Sequence, residues 1–516
     1  MADKRPNILI FMTDQQQGAT ALPEHPARTP NLTRFAAEGV TFTNLHCPTA
    51  HCCPSRASLM SGVYPSRHGV FNNVNTSTAI HAGVNPGLIF WSEELRDAGY
   101  ELVFTGKWHV SRDEGPEDRG WRSLNGPFPR GTYSTSLAPE NWREAHTQLQ
   151  NPQPRERGCV LRPGWGNIRL YGTMAPKGDD IYAGHGDVNI VRRGQAALKQ
   201  LATGDKPWCL YIGVNGPHDT YVIPEYFTRL HDPAKVELPP SFRDDLLDKP
   251  RIYQRMRYQY WDQLSEEEIR EAIAHYWGYC SMEDMLFGEV LQTLEETGQA
   301  GNTLVIYMSD HGDYCGAHGL WAKGVPAFEE AYHVPLIMRW PQGIAEPGRR
   351  VEAFVSMTDF RATFCELAGV TPRSYHSGAS LVPWLHGETP SNWRDAWFTQ
   401  FNGVELYYTQ RMVSTRRWRY VYNGFDYDEL YDLQKDPHML HNLAFPERAH
   451  MRKPGDAAGL RGPGGVPWPP LSPELEAVRR DLLARMWTFA RDQEDIIFNP
   501  YLTVAQAPLG PGVLDA

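Results

Sequence analysis

The sequence predicts an α/β protein, with a mostly parallel central sheet flanked by helices and a smaller C-terminal α+β region built on an antiparallel sheet. Three observations predict it. Short apolar runs alternate with segments of helical periodicity through residues 1–370. Four of those runs lead into polar clusters, Asp14–Gln15, Lys107–His109, His218–Asp219 and Asp310–His311. After about Gly369 the alternation gives way to short strand-like runs and one amphipathic helix. The expected division is therefore a larger unit over 1–370 and a smaller unit over 371–516.

Asn7 to Met12 is an apolar run that meets Asp14 at once, as a buried strand ending in a polar loop does. Thr29 and Pro30 suit the N-cap and first position of a helix whose apolar residues are Leu32, Phe35 and Ala36 and which Gly39 ends. Val40 to Phe42 begins a strand. Ile89 to Ala98 has helical spacing and stops at Gly99, and Glu101 to Thr105 is a strand. Val188 to Leu201 and Glu266 to Thr297 read as helices. Trp208 to Val214, Thr303 to Met308 and Pro335 to Trp340 read as strands. In the C-terminal region, Trp397–Gln400, Tyr407–Ser414 and Trp418–Asn423 are strand-like, Leu430–Leu433 follows, and Glu474–Arg491 is an amphipathic helix. Helices that alternate with strands cover both faces of a parallel sheet, and polar residues then gather beyond the strands' carboxyl ends.

Apolar residues make up 41% and charged residues 22% of the 516, which excludes wholesale disorder. A net charge of −11 gives no general attraction for nucleic acid, so any anion must be held by local cations. The run Ile8–Met12 is too short for a signal-peptide core, and no stretch reaches the roughly 18 apolar residues of a membrane span. A cytoplasmic location is expected. The eight cysteines are scattered without a CxxC pair, as buried reduced thiols are.

Two segments look like insertions. Asp113 to Asp180 is rich in Gly, Pro, Trp and Arg, and Pro224 to Gln263 carries Tyr253, Arg255, Arg257, Tyr258, Tyr260 and Trp261. Such segments either rim a substrate site or pack against the body or another subunit. Pro454 to Pro473 is expected to be irregular, and Tyr501 to Ala516 to be a loose tail or an arm reaching a neighbouring subunit; a homo-oligomer stays open.

Cys52 stands apart from the other thiols. In Cys52–Cys53–Pro54–Ser55–Arg56, Pro54 suits the first turn of a helix, which puts Cys52 at an N-terminus that attracts anions. Arg56 adds a forked donor. Taken alone, the pattern also describes a low-pKa thiol. With Ser61–Gly62, Tyr64–Pro65 and Arg67–His68–Gly69 downstream, it resembles the signature of the sulfatase family, and of the two adjacent cysteines only Cys52 has Pro two and Arg four positions on. Further resemblances are Pro6–Asn7–Ile8 with Asp14, Gly106–Lys107–Trp108–His109, Pro217–His218 with Tyr221, Ser309–Asp310–His311–Gly312 with Lys323, and Leu430–Tyr431–Asp432–Leu433, together spanning about residues 6–445.

The resemblance implies an alkaline-phosphatase-like fold and hydrolysis of a sulfate ester. It implies that Cys52 is converted to formylglycine by a separate formylglycine-generating enzyme. Asp14, Gln15, Asp310 and His311, with residue 52, would hold one divalent metal. Oxygen ligands make Ca²⁺ the expected ion, and the histidine brings in Mn²⁺ as the alternative. One hydroxyl of the formylglycine hydrate would attack sulfur, and His109 would take the proton of the other. Lys107, Lys323, Arg56 and Asn73 would bind sulfate oxygens, while His218, with Lys323, would protonate the leaving alcohol. Asp219, Asp313, Arg67 and His318 read more readily as structural. Gln15 and His311 depart from the common Asp-Asp and Asp-Asn pairs and are closer to the choline sulfatase and phosphonate monoester hydrolase branches. Phosphonate monoester or phosphodiester cleavage is thus the alternative activity, and a non-catalytic relative the third reading.

Overall fold

The computed structural model describes residues 5–129 apart from 77, 154–445 apart from 163–165 and 405, and 471–515 apart from 502, 503, 505 and 506. Residues 130–153 of the expected insertion, most of the segment Pro454–Pro473 and Ala516 lie outside the described residues.

Eight strands form the central sheet: β1 (Asn7–Thr13), β2 (Val40–Phe42), β3 (Glu101–Gly106), β4 (Arg122–Ser123), β5 (Trp208–Gly213), β6 (Thr303–Ser309), β7 (Leu336–Arg339) and β8 (Arg349–Val351). Their order is β8-β2-β7-β6-β1-β5-β3-β4. Only β7 runs against its neighbours β6 and β2; every other pairing is parallel. Both β1 and β6 are buried along their whole length, as strands covered on two faces must be. Alternate residues of β1 serve different cores: Ile8, Ile10 and Met12 belong to one, Leu9 and Phe11 to the other.

The main helices are α1 (Pro30–Ala37), α2 (Cys52–Ser61), α3 (Trp91–Asp97), α4 (Gly186–Leu201), α5 (Arg251–Tyr260), α6 (Glu266–Glu296), α7 (Asp359–Ala368) and α8 (Pro473–Asp492). Helix α6 opens with a capping box, in which Ser265 Oγ accepts from the Glu268 amide at 3.2 Å and Glu268 Oε2 from the Ser265 amide at 3.0 Å. Its Leu286, Phe287 and Val290 pack against Leu9, Phe11, Val305 and Tyr307. The start of α1 departs from expectation. Thr29 makes no side-chain cap; the carboxylate of Asp284, on α6, accepts from the amides of Asn31 (3.1 Å) and Leu32 (2.7 Å). A tertiary cap has replaced the local one because α1 packs across α6.

A second sheet, β9 (Ala396–Gly403), β10 (Tyr407–Thr415), β11 (Trp418–Asn423) and β12 (Glu429–Asp432), is antiparallel in sequential order. One face (Trp397, Phe401, Met412, Val421, Tyr431) joins the large core. The other (Val413, Tyr420, Tyr422, Leu430) packs on Leu482, Leu483, Met486 and Trp487 of α8.

Of the two readings of the segment around Tyr253 to Trp261, the fold favours packing for its ends. Tyr253 and Trp261 are buried, and the Tyr253 hydroxyl donates to Glu429 at 2.8 Å. Tyr253 sits on the inward face of α5 and packs on Phe328, while Tyr258 on the same helix is exposed. All eight cysteines are buried and free, as expected. No helix among the described residues is long and apolar enough to cross a membrane.

Candidate active site

Strands β6, β1, β5 and β3 are consecutive neighbours and all parallel, so their carboxyl ends stand side by side. From those ends emerge Asp310–His311, Asp14–Gln15, Asn215–Asp219 and Lys107–His109, in that order across the sheet. Helix α2 delivers Cys52 to the same place from its N-terminus. It ends at Gly62 (φ +74°), where a Cβ would lie 2.6 Å from that of Arg361, so a glycine is required twice over.

Cys52 Sγ lies 3.1 Å from His311 Nε2 and 3.8 Å from Asp14 Oδ1. Ligand atoms of Asp14, Cys52, Asp310 and His311 all fall within 4.8 Å of one another, and all four residues are buried. Residues nearly three hundred positions apart in sequence thus converge, as the signature requires.

Arg56 is fully buried one turn beyond Cys52. Its Nε donates to Asp310 Oδ2 (2.7 Å), its Nη2 to Asp14 Oδ2 (2.9 Å) and its Nη1 to the Lys107 carbonyl (2.9 Å). This corrects the expectation that Arg56 binds sulfate oxygens. Every arm of the fork is committed to the frame, so the arginine clamps the two carboxylates from behind. Lys107 Nζ, 2.5 Å from Asp14 Oδ2, faces the cavity instead. Burial and the neighbouring thiol push the Asp14 carboxyl up, but Lys107, His218 and Arg56 outweigh them and hold it below the usual carboxylate range. Burial likewise opposes ionisation of Cys52, yet Lys107, Lys323 and His311 carry its thiol well below the ordinary value.

The histidine tautomers follow from their partners. His311 Nδ1 sits 2.9 Å from the Gly312 carbonyl and so carries its proton there. Its Nε2 then faces three acceptors, at 3.1 Å from Cys52 and 3.7 Å from both Asp14 and Asp310. Lone pairs converging like this call for a cation among them, and the donor set of two carboxylates and one imidazole fits a divalent ion. His109 Nε2 is 2.9 Å from Asn75 Oδ1, while its Nδ1 is buried without a hydrogen-bond partner among the described residues. Burial and Lys107 depress its pKa, which keeps that imidazole neutral with Nδ1 free to accept a proton near residue 52.

Gln15, in a left-handed conformation (φ +67°), accepts from Lys323 through Oε1 at 2.5 Å and donates to Asp219 (3.0 Å) and Asp313 (2.5 Å). Its backbone N–H donates to Asp310 at 3.1 Å. Lys323 in turn reaches His218 Nε2 at 2.5 Å. Burial and Lys323 press the His218 pKa down, Asp219 and Asp14 press it up, and the net shift is upward. Asp219, read as structural from its displaced position, thus acts on His218 directly. His318 is structural: buried, 2.7 Å from Asp244 and stacked on Phe328. Asn73 Oδ1 accepts from the Cys53 amide at 3.0 Å, which holds this residue at the cavity wall.

The cavity above Cys52 measures about 680 Å³ and is lined by Asn73, Lys107, His109 and His218 as expected. Asn75, Asn125, Arg193 and Asn215 line it too, and the sequence carried no signal for them. They come from loops and a helix face without motif. Asp187 was also missed. It is buried and accepts from the Asn215 amide and side chain (2.9 and 2.8 Å) and from the Gly216 amide (2.9 Å), fixing the loop that carries His218.

The sulfatase family model matches residues 6–370, more than half of the chain. The chain belongs to the sulfatase family. A second model, for the C-terminal part of N-sulphoglucosamine sulphohydrolase, matches residues 316–453. The choline-sulfatase of Rhizobium meliloti is 30% identical over 506 residues, covering 94% of this chain and 91% of that protein. The N-acetylglucosamine-6-O-sulfatase of Bacteroides thetaiotaomicron is 27% identical, covering 85% and 83%. Among solved structures, the phosphonate monoester hydrolase of Silicibacter pomeroyi superposes with a TM-score of 0.72 at 23% identity, covering 95% and 96% of the two chains. The alkaline-phosphatase-like fold expected from the motifs is therefore the fold of this sulfatase, and the protein is a sulfuric ester hydrolase.

Proposed function

We propose that this sulfatase cleaves a small-molecule sulfate ester at residue 52, with Asp14, Asp310 and His311, flanked by Gln15, holding one divalent metal. The observation that carries this reading is the position of Cys52 Sγ, 3.1 Å from His311 Nε2 and 3.8 Å from Asp14 Oδ1 below an open cavity. The family's formylglycine supplies an oxygen nucleophile as its hydrate, and the metal favours that oxygen's ionised form while offsetting sulfate charge. Mostly oxygen donors favour Ca²⁺, and the imidazole keeps Mn²⁺ as the alternative.

The chain's own groups do the rest. Arg56 sets the spacing of the two carboxylates. Lys107 offers its ammonium to the sulfate oxygens, and Asn73 its amide. His218 lines the cavity with Lys323 2.5 Å from its Nε2, and from there it can hand a proton to the leaving alcohol oxygen. His109 accepts, through Nδ1, the proton that must leave residue 52 before sulfate departs. Formylglycine at position 52 requires the maturing enzyme, so the protein must be made together with it.

Gln15 and His311 support a second reading, phosphonate monoester hydrolysis, because they set this metal loop apart from the common Asp-Asp and Asp-Asn pattern. Parallel assays of 4-nitrophenyl sulfate and a 4-nitrophenyl phosphonate monoester on matured protein separate the two. A higher kcat/KM on the sulfate is expected, and the reverse order overturns the sulfatase assignment of this site.

A further inference from the structure

The cavity is far larger than a sulfate group, so most of it receives the alcohol half of the substrate. One wall is α4, which presents Ile190 and Arg193 one turn apart. Arg193 Nε donates to Thr105 Oγ1 at 3.2 Å, and Nη2 makes a long contact of 3.5 Å to Asn125 Oδ1. Asn125 is itself pinned to the strand end that precedes Lys107: Oδ1 accepts from the Gly106 amide (2.9 Å) and Nδ2 donates to the Gly106 carbonyl (2.6 Å). The guanidinium is thus anchored to the same strand end as the catalytic lysine. Among the described residues, no carboxylate lies within ion-pair distance of Arg193. A guanidinium has five N–H donors, and two of them point at oxygens of the described residues.

The remaining lining has a matching chemistry. Asn75, Thr76 and Asn215 bring amide and hydroxyl groups, while the described lining contains no Asp or Glu and no Phe, Tyr or Trp. Among the described lining residues a quaternary ammonium substrate would find neither a counter-charge nor an aromatic face. An alcohol bearing hydroxyls and an anion would find donors for both.

We propose that Arg193 is a specificity-determining residue that selects a leaving alcohol carrying a second anionic group, a carboxylate or a further sulfate, on a polyhydroxylated frame. This assignment rests on the sulfate-ester reading of the site and adds the substrate class. An anion there gains charge-assisted, forked hydrogen bonds from a guanidinium already held in place.

The test uses full-length protein whose residue 52 is shown by mass spectrometry to be oxidised. Its substrates are 4-nitrophenyl sulfate, a neutral sugar monosulfate, the same sugar with a second sulfate, the same sugar with a carboxylate, and choline sulfate. At least one anionic sugar sulfate is expected to exceed the neutral one in kcat/KM by about ten- to a hundredfold, the range of a hydrogen bond to a charged group. Which of the two does so names the anion. Arg193→Gln is expected to erase that ratio, chiefly through KM, and Arg193→Lys to restore part of it. Added salt should shrink the ratio in the parent protein. Equal or better turnover of the neutral sugar or of choline sulfate overturns the assignment, as does an unchanged ratio in Arg193→Gln. If no sulfate ester is cleaved, 4-nitrophenyl sulfate included, the hydrolase reading itself falls, and the assignment with it.

Discussion

Lys323 Nζ lies 2.5 Å from Nε2 of His218, and His218 lines the cavity. His218 Nδ1 faces the Asp219 carbonyl at 2.5 Å, so the ring is held from both sides. If this pair delivers the proton, its loss must matter most when the leaving alcohol is a poor one. His218→Ala should lower kcat on an alkyl sulfate by about 10²- to 10⁴-fold and on 4-nitrophenyl sulfate by much less. Equal losses on both substrates would assign His218 to binding instead.

Arg56 is the charge partner of two carboxylates that see no solvent. Arg56→Ala should destabilise the fold by about 3–5 kcal/mol, because it leaves buried charge without compensation. Lysine has no fork to bridge Asp14 and Asp310, so Arg56→Lys should recover little. Denaturant unfolding at pH 7 reads both, and a loss below about 1 kcal/mol, the size of a surface pair, contradicts the clamp.

Cys52 and Cys53 are adjacent and both fully buried, yet only Cys52 faces the metal-ligand group. The Cys53 thiol is instead pushed up by burial, and its sulfur receives the Val74 amide at 3.5 Å. Cys52→Ala should abolish turnover with an unchanged melting temperature. Cys53→Ala should cost about 1 kcal/mol or less of stability and keep most activity. Turnover surviving in Cys52→Ala refutes the nucleophile.

Nε2 of His311 faces Asp14, Asp310 and Cys52, the same atoms that would hold a cation. Chelation should therefore abolish activity and lower the melting temperature, since a bound cation stabilises only the folded state. Calcium should restore both, and manganese serves as the comparison. Full activity after exhaustive chelation would exclude the metal assignment.

Asp284 caps α1 from inside the protein, and burial raises its pKa to about 6 against backbone donors that lower it. A raised folded-state pKa means that this carboxyl's contribution is complete below its unfolded value near pH 4 and is lost as pH rises through about 6. Across that window the loss is at most about 3 kcal/mol. Asp284→Asn forfeits one accepted N–H at every pH but cannot ionise. Its stability relative to the parent should therefore improve from pH 4 to pH 7 in urea unfolding, and a flat difference would show that Asp284 does not titrate.

The strands and helices were legible in the sequence because burial imposes period on composition. β1 and β6 are unbroken apolar runs, and α6 and α8 keep their stripes. The strongest site residues were legible too, since a strand end followed by Asp14, Lys107, His218 or Asp310 is a local pattern. The cap of α1, the inward turn of α5 and the reversal of β7 were not, because each depends on a partner far away in sequence.

By itself, then, the sequence determined the strands, the main helices and the family. Tertiary structure alone decided that Arg56 clamps the carboxylates of Asp14 and Asp310, and that Arg193, Asn75 and Asn125 line the cavity. Side-chain direction is the reason. A motif specifies which groups are present, whereas the surrounding packing specifies which way each of them points.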